Sequence, residues 1–130
     1  MLPYQIHTNR ELGLMLKGTK PLAAFSDVYG GFPDVVDRYL AMFDRHVDTG
    51  RFVKTAFVVL NMQGTVRSYN VHHILYALES EEWRLAEMLA LKLEMLSGWS
   101  AEQERREGRL LGYEEWQNDI WIEKFIAGRL

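Results

Sequence analysis

Residues 52–78, FVKTAFVVLNMQGTVRSYNVHHILYAL, decide the fold of this chain. Two runs rich in β-branched and aromatic residues flank Gln63-Gly64, so the stretch predicts a β-hairpin with its turn at that pair. If the loop has two or four residues, Thr55 faces His72 across the hairpin. A loop of three residues would exchange the side chains that share a face, because side chains alternate with a period of two.

The first of these registers gives the hairpin two unlike faces. Adjacent residues of a strand point to opposite faces, so His72 and His73 cannot hold one metal ion together. We expect His73 to be a hydrogen-bonded histidine of the core or its edge. The more apolar face, which should meet the helices, contains Ala56, Val58, Leu60, Tyr69, Val71, His73 and Leu75. The other face contains Thr55, Phe57, Val59, Ser68, Asn70, His72 and Ile74.

This second, open face carries the candidate ligand-binding residues. Imidazole, amide and hydroxyl groups together could orient a small polar ligand. Asp27, in a loop after a predicted strand, could act as a base or orient His72 if that loop folds over the sheet. A plain solvent-facing surface is the alternative interpretation. The full candidate set is His72, Asn70, Ser68, Thr55 and Asp27.

The rest of the chain is mainly helical. A capping box at Thr8–Glu11 predicts a short first helix, and residues 20–25 predict a strand. Pro21 places this strand at a sheet edge because proline has no N–H to donate. Asp34 is expected to cap an amphipathic helix that ends at Gly50. Three further helices are predicted from Ser80 to Leu96, from Ser100 to Leu111 and from about Glu114 to Ile126.

The helix from Ser80 to Leu96 is apolar over most of its circumference, so it should be the central packing partner of the sheet. It either lies between the sheet and the C-terminal helices or supplies a dimer interface. Residues 1–130 are therefore predicted to form one α+β domain, with a small, mostly antiparallel sheet of about three strands and about five helices.

Composition narrows the functional classes. The chain has 15 basic and 18 acidic residues and a net charge of −3, so we do not expect nucleic acid as a partner. It has no cysteine, which excludes thiol nucleophiles and cysteine zinc sites and favours a reducing compartment. No secretory signal or membrane-spanning stretch is visible, so we expect a cytoplasmic protein without a membrane partner. No motif predicts a metal or a cofactor.

No catalytic constellation is visible, whereas aromatic residues are concentrated in the C-terminal half. Trp99, Trp116 and Trp121 are the candidate interface residues, because outward aromatic side chains are common where proteins meet. We therefore expect a non-enzymatic binding or regulatory protein that acts through its C-terminal helices and forms a homodimer or binds another protein. The alternative is a small-molecule-binding protein or enzyme that uses the open sheet face around His72.

Overall fold

A computed structural model describes residues 2–28, 32–61, 69–98 and 100–129. The predicted α+β fold is confirmed, with three antiparallel strands and five α-helices in this part of the chain. The 3₁₀ segments Glu79–Glu81 and Met95–Ser97 flank the third helix. The elements are α1 (Glu11–Leu16), β1 (Leu22–Val28), α2 (Asp34–Asp48), β2 (Phe52–Asn61), β3 (Tyr69–Leu78), α3 (Trp83–Glu94), α4 (Ala101–Leu111) and α5 (Glu115–Arg129).

The sheet has the strand order β1-β3-β2, so the second arm of the hairpin is the central strand. β1 lies at an edge, as Pro21 predicted, and pairs antiparallel with β3. Just before β1, the Pro21 carbonyl accepts a hydrogen bond from the Leu78 amide at 3.0 Å. Proline thus contributes its acceptor where it cannot contribute a donor.

The predicted hairpin register is wrong. Thr55 pairs with Leu75 rather than with His72, a shift of three residues along β3. An odd shift moves every side chain of one strand to the other face relative to its partner. Thr55 and Phe57 therefore share a face with His73, while His72 shares a face with Val58. The pairing ends at Asn61 and Tyr69, and Gln63-Gly64 lies outside the described residues.

Helices cover both faces of the sheet, which explains why alternation did not fix the register. On one face Leu75 and Ala77 pack with residues of α3 and α4. On the opposite face Tyr76 and Phe52 pack with residues of α1 and α2. Strands buried on both sides are apolar at successive positions, so their sequence does not mark one face as the outer one. Farther along the same sheet, Val58 and Leu60, which share a face with His72, are each about half exposed.

α3 and α4 lie side by side on the sheet, and α5 packs on α4. α3 therefore does not lie between the sheet and the C-terminal helices. Its buried side is formed by Leu85, Met88 and Leu91, whereas Trp83 is 55% exposed and Leu93 is also exposed. The dimer interface that was the other expectation for this helix stays a prediction.

The helix starts agree with the sequence only in part. Ser100 accepts from the Gln103 amide at 3.2 Å, as its capping box predicted. The Thr8 box is wrong, because Asn9 adopts a φ of 67° and the chain makes a turn before α1. Asp34 is the first residue of α2 rather than its cap. Ser80 lies in a 3₁₀ turn, so α3 begins only at Trp83.

Candidate functional site

A pocket of about 200 Å³ lies between the N-terminal segment and the helices α4 and α5. It is partly open to solvent, and most of its surface is apolar. We call it the α4–α5 pocket. Its lining consists of Tyr4, Ile6 and Thr8 from the N-terminal segment, Glu104, Glu107, Gly108 and Leu111 from α4, Tyr113 from the connection, and Asn118 and Trp121 from α5.

The N-terminal segment is held against the helices by aromatic and hydrogen-bonding contacts. The Tyr4 hydroxyl donates to the Gln117 carbonyl at 3.1 Å, and the His7 amide donates to the Tyr113 hydroxyl at 2.8 Å. The Tyr4 ring meets the rings of Tyr113 and Trp116 edge to face, at centroid distances of 6.1 and 5.5 Å. Such pairs add to the stabilisation from burial alone. The pocket wall formed by Tyr4 is therefore fixed in place.

Lys20 joins the N-terminal segment to the end of α4. It is 2% exposed, and its Nζ donates to the Leu111 carbonyl at the end of α4 at 2.7 Å. The same Nζ lies 2.8 Å from His7 Nδ1, and the His7 ring stacks on Tyr113 at 3.9 Å. Burial lowers the pKa of Lys20 to about 8. An ammonium group can only donate, so His7 Nδ1 is the acceptor and the proton of this neutral ring is on Nε2.

Burial also lowers the pKa of His7 to about 4, and the neighbouring charges of Lys20 and Arg10 add to this effect. The imidazole is therefore neutral at pH 7. It connects Tyr113 to Lys20 without contributing a charge. His7 thus has a structural role beside the pocket.

One polar group in the pocket wall lacks a partner. Asn118 is 4% exposed, and its Nδ2 has no hydrogen-bond partner among the described residues. Its carboxamide packs against Gly108 so closely that an added Cβ there would lie 2.8 Å from Asn118 Cγ. Leaving a buried donor without an acceptor costs roughly 1–3 kcal/mol, so such groups call for an explanation. Asn118 is also one of the residues that line the cavity.

The pocket also has an acidic side. The Trp121 indole donates to Glu104 Oε1 at 2.7 Å, and Lys92 Nζ lies 3.2 Å from Glu107 Oε2. Both carboxylates line the pocket, whereas no lysine or arginine is part of the lining that the structure describes. The arginines of α4 pair with carboxylates that do not line it: Arg105 with Glu115 and Asp119, Arg106 with Glu94, and Arg109 with Glu115.

The candidate residues of the sheet are only partly brought together. Asp27 and His72 are direct partners across β1 and β3, so they share a face, and Asn70 lies on this face two residues from His72. Thr55 is on the opposite face, where it borders a shallow depression beside Trp83. Ser68 lies outside the described residues. Thr55 therefore does not belong with the other candidate residues. A site at Asp27, Asn70 and His72 stays a prediction.

His73 is a core histidine, as expected. It is buried, its Nδ1 lies 2.7 Å from the Ser26 hydroxyl, and its ring stacks on Phe57 at 4.9 Å. Burial lowers the pKa of His73 to about 4, with smaller effects from Lys92 and His72. Its separation from the His72 face follows directly from the alternation of side chains along β3.

Two of the three candidate interface residues lie in the described part of the chain, and both are exposed. Trp116 is 46% exposed and Trp121 is 42% exposed, so each presents aromatic surface to solvent. Trp99 lies outside the described residues. Trp121 also lines the α4–α5 pocket, which connects the expected interface to a concave site. Whether these residues bind a partner stays a prediction.

Two features of the sequence indicate this pocket. Gly108 lies in the middle of a helix, where glycine is unfavourable and usually has a packing reason. Asn118 is a polar residue on the buried side of α5, in line with the buried Ile122 one turn later. The remaining wall residues, Tyr4 and Tyr113, are far apart in sequence and gave no such signal.

Within the described ranges, no three His, Asp or Glu side chains lie close enough to hold a metal ion. No helix in the same ranges is both long and apolar enough to cross a membrane. The acids near the start of α5 are paired instead: Glu115 with Arg105 and Arg109, and Asp119 with Arg105.

No family model matches the chain, and no match was found among curated proteins or solved structures. The geometry of the α4–α5 pocket is therefore the basis on which a function is proposed.

Proposed function

We propose that this chain is a non-enzymatic binding protein that holds a partner protein by one side chain inserted into the α4–α5 pocket. The observation that carries the proposal is the α4–α5 pocket itself, a concave and mostly apolar site whose wall contains three aromatic rings and the buried amide of Asn118. Polar groups placed sparsely in an apolar concave wall are typical of binding sites.

The size of the pocket favours a single side chain as occupant. Sites for drug-sized molecules measure roughly 300–1,000 Å³, whereas this cavity measures about 200 Å³. The walls are fixed before any ligand arrives, because Tyr4 and Tyr113 are held by hydrogen bonds and ring contacts. A pre-formed pocket reduces the conformational entropy that binding must overcome.

The surroundings of the pocket favour a protein as the partner. Trp116 and Trp121 each expose close to half of their surface beside it. Tryptophan is enriched among the residues that dominate binding energy at protein interfaces, and such residues lie around pockets that accept an anchor from the partner. The proposed interface therefore lies on the C-terminal helices, where it was expected, and the α4–α5 pocket is at its centre.

The proposal is tested with amino acids blocked at both ends, one for each class of side chain. We expect at least one of them to shift the NMR signals of the Gly108 amide and the Asn118 side-chain amide in a saturable way. Trp121→Ala should weaken this binding, because the indole forms one wall of the pocket. Trp83→Ala is the matched control, since Trp83 is similarly exposed but lies on α3 away from the pocket.

If no blocked amino acid shifts these signals at concentrations up to tens of millimolar, the proposal fails. It also fails if Trp83→Ala weakens binding as much as Trp121→Ala does. The expected homodimer and cytoplasmic location stay predictions. Light scattering after size-exclusion chromatography tests the homodimer, and a monomer unchanged by Trp121→Ala would remove self-association through this surface.

A further inference from the structure

The outer side of β2 is an open edge of the sheet. The strand order β1-β3-β2 leaves β2 without a neighbour on that side. Next to the strand, the Glu79 amide donates to the Arg51 carbonyl at 3.2 Å, so the odd-numbered residues of β2 point their backbone groups at β3. The even-numbered residues, from Lys54 to Leu60, therefore point theirs outward. No other described backbone group bonds to them.

This β2 edge lacks the usual protection against pairing with another strand. Natural edge strands are commonly short, or carry proline or several charged side chains. β2 has ten residues and no proline, and Lys54 is its single charged residue. Lys54 Nζ is held by Asp44 of its own chain at 2.9 Å. Val58 and Leu60 are each about half exposed beside the outward backbone groups. The edge therefore offers both hydrogen bonds and apolar surface to a further strand.

An apolar stripe on α3 lies beside the same edge. α3 contacts both β2 and β3, and Thr55 of β2 shares a shallow depression with Ala86 and Leu89 of α3. Leu93 and Leu96 continue this side of the helix, and both are exposed. Spacings of three, four and three residues are typical of a helix that packs along another helix. We call Ala86, Leu89, Leu93 and Leu96 the α3 stripe.

From these two features we infer that a second copy of this chain covers the β2 edge and the α3 stripe together. A two-fold axis perpendicular to the sheet pairs β2 antiparallel with β2 of the second copy. It also brings the two α3 helices side by side on one face of the joint sheet. Since α3 lies over β2 and β3 and strands are about 4.8 Å apart, the two α3 axes are about 10 Å apart. Helices in contact are separated by about 8–10 Å, so one axis satisfies both surfaces.

The exposed side chains place the axis near Val58. With Val58 opposite Val58 of the second copy, Ala56 lies opposite Leu60 of that copy, and the outward backbone groups of these residues bond to one another. The strands then overlap over residues 55–61, roughly 23 Å, and the strand and helix layers are together roughly 20 Å deep. The accessible area of such a face exceeds its projection and comes close to the roughly 600 Å² per partner of the smaller specific interfaces.

Neither α2 nor the charge of β2 opposes this arrangement. α2 contacts β2 at its other end, where the ring of His46 lies 5.3 Å from that of Phe52 and Asp44 holds Lys54. The two copies of Lys54 are eight residues apart along the joint edge, about 26 Å, a distance at which their charges are screened. A different protein would need a free strand and an apolar helix in this same arrangement, whereas a second copy has both by symmetry.

This inference is independent of the proposed function, because α4 contacts β1 at the opposite edge of the sheet and the α4–α5 pocket lies on that side. Light scattering after size-exclusion chromatography at about 100 μM protein should give twice the chain mass of 15.2 kDa. Leu93→Glu should weaken the dimer by about a hundredfold or more, since each dimer loses two leucine contacts and buries two carboxylates. Val35→Glu is the matched control, because Val35 is exposed in the first turn of α2, at the end away from β2.

Hydrogen exchange of the β2 amides locates the contact. In the dimer, the even-numbered amides from Ala56 to Leu60 should exchange as slowly as those of Phe57 and Val59, which bond to β3. In Leu93→Glu the even-numbered amides should exchange at least about tenfold faster, because they are again open to water. The amides of Phe57 and Val59 should stay protected in both proteins, which shows that the variant is folded.

Each contrary result overturns the inference. A monomer at about 100 μM removes the dimer. A dimer whose even-numbered β2 amides exchange rapidly assigns the contact to another surface, such as the C-terminal helices. Equal loss of the dimer in Val35→Glu and Leu93→Glu shows that the α3 stripe is not responsible. If Leu93→Glu does not fold, Val58→Lys provides the same comparison, because it places two like charges opposite each other at the axis.

Discussion

Asn118 of α5 packs its carboxamide onto the Cα of Gly108 in α4, in the space that any larger residue at position 108 would need for its Cβ. This contact sets how closely the two helices approach. It also explains a glycine in the middle of α4, where the backbone alone would favour alanine. The same two residues form part of the wall of the α4–α5 pocket, so the packing of the helices and the shape of the pocket depend on one contact.

Gly108→Ala should therefore destabilise the protein. Replacing glycine with alanine inside a helix gains up to about 1 kcal/mol of stability, but forcing a methyl group into a packed site costs roughly 1–3 kcal/mol. We expect the cost to exceed the gain, because the Cβ would lie 2.8 Å from Asn118 Cγ and closer still to Oδ1. Urea unfolding measures the difference.

Gly13→Ala is the control for this prediction. Gly13 also lies inside a helix, and an added Cβ there meets nothing within 4 Å. It should gain stability by helix propensity alone. In an Asn118→Ala background, Gly108→Ala should lose most of its cost, because the atoms it strikes are gone. Equal effects of Gly108→Ala with and without Asn118 would show that the contact is not responsible.

Gly112→Ala should cost more than Gly18→Ala. Both glycines have a positive φ, 94° and 78°, which costs an L-residue roughly 1–2 kcal/mol. Only at Gly112 would the added Cβ also approach another group, 2.5 Å from Pro21 Cδ, whereas the space around Gly18 is open. Thermal unfolding of the two variants measures both losses. The loss in Gly18→Ala reports the backbone strain alone, and the additional loss in Gly112→Ala reports the contact with Pro21. Equal losses would mean that Pro21 moves aside without cost.

Tyr76→Phe should lower stability by about 1.5 kcal/mol, the lower end of the range for a hydrogen bond to a charged group, because Asp44 is partly exposed to water. The Tyr76 ring is buried, and its hydroxyl donates to Asp44 Oδ1 at 2.8 Å. Lys54 contacts the same oxygen at 2.9 Å. In an Asp44→Asn background the loss should shrink. An unchanged loss there would assign the effect to the hydroxyl's surroundings rather than to Asp44.

Alkaline titration tests the same contact. Burial and then the Asp44 contact raise the pKa of Tyr76 above its ordinary value of 10.0. A folded-state pKa above the unfolded value means that the stability is fully present below pH 10 and is lost as the pH rises beyond it. In absorbance measurements at alkaline pH, Tyr76 should ionise only as the protein unfolds. The part of the absorbance change that accompanies unfolding should be smaller in Tyr76→Phe, which identifies the residue.

The stability should also fall between neutral and mildly acidic pH. The pKa values of His7 and His73 are both lowered from 6.5 to about 4, first by burial and then by nearby positive charges. Groups with a lowered folded-state pKa contribute stability that is present above pH 6.5 and is lost as the pH falls towards 4. The neighbouring charges that lower the pKa are those of Lys20 and Arg10 for His7, and those of Lys92 and His72 for His73.

Titration of the imidazole C–H signals by NMR checks this directly. The signals of His7 and His73 should change near pH 4, well below the ordinary pKa of histidine. His73→Gln should flatten the dependence of the unfolding free energy on pH between 7 and 4, because one of the two groups is removed. Midpoints near 6.5 for both histidines would contradict the burial of these rings.

Local patterns in the sequence were interpreted correctly where one residue's own chemistry decides the structure. Pro21 lacks a donor and lies at the edge of the sheet, and Ser100 caps α4 through the Gln103 amide. The exclusion of a shared site for His72 and His73 follows from the same kind of reasoning. Thr8 failed as a cap because the chain turns at Asn9, whose φ is 67°, and α1 begins only after that turn.

The sequence by itself determined the number and kind of the elements and the α+β class. Only the tertiary structure decided the hairpin register, because both faces of the sheet are buried and alternation then marks neither of them. Only the tertiary structure likewise brought Tyr4 and Tyr113 together with Asn118. Periodicity describes neighbours one turn or one strand apart, whereas a pocket is made by residues that meet across the whole length of the chain.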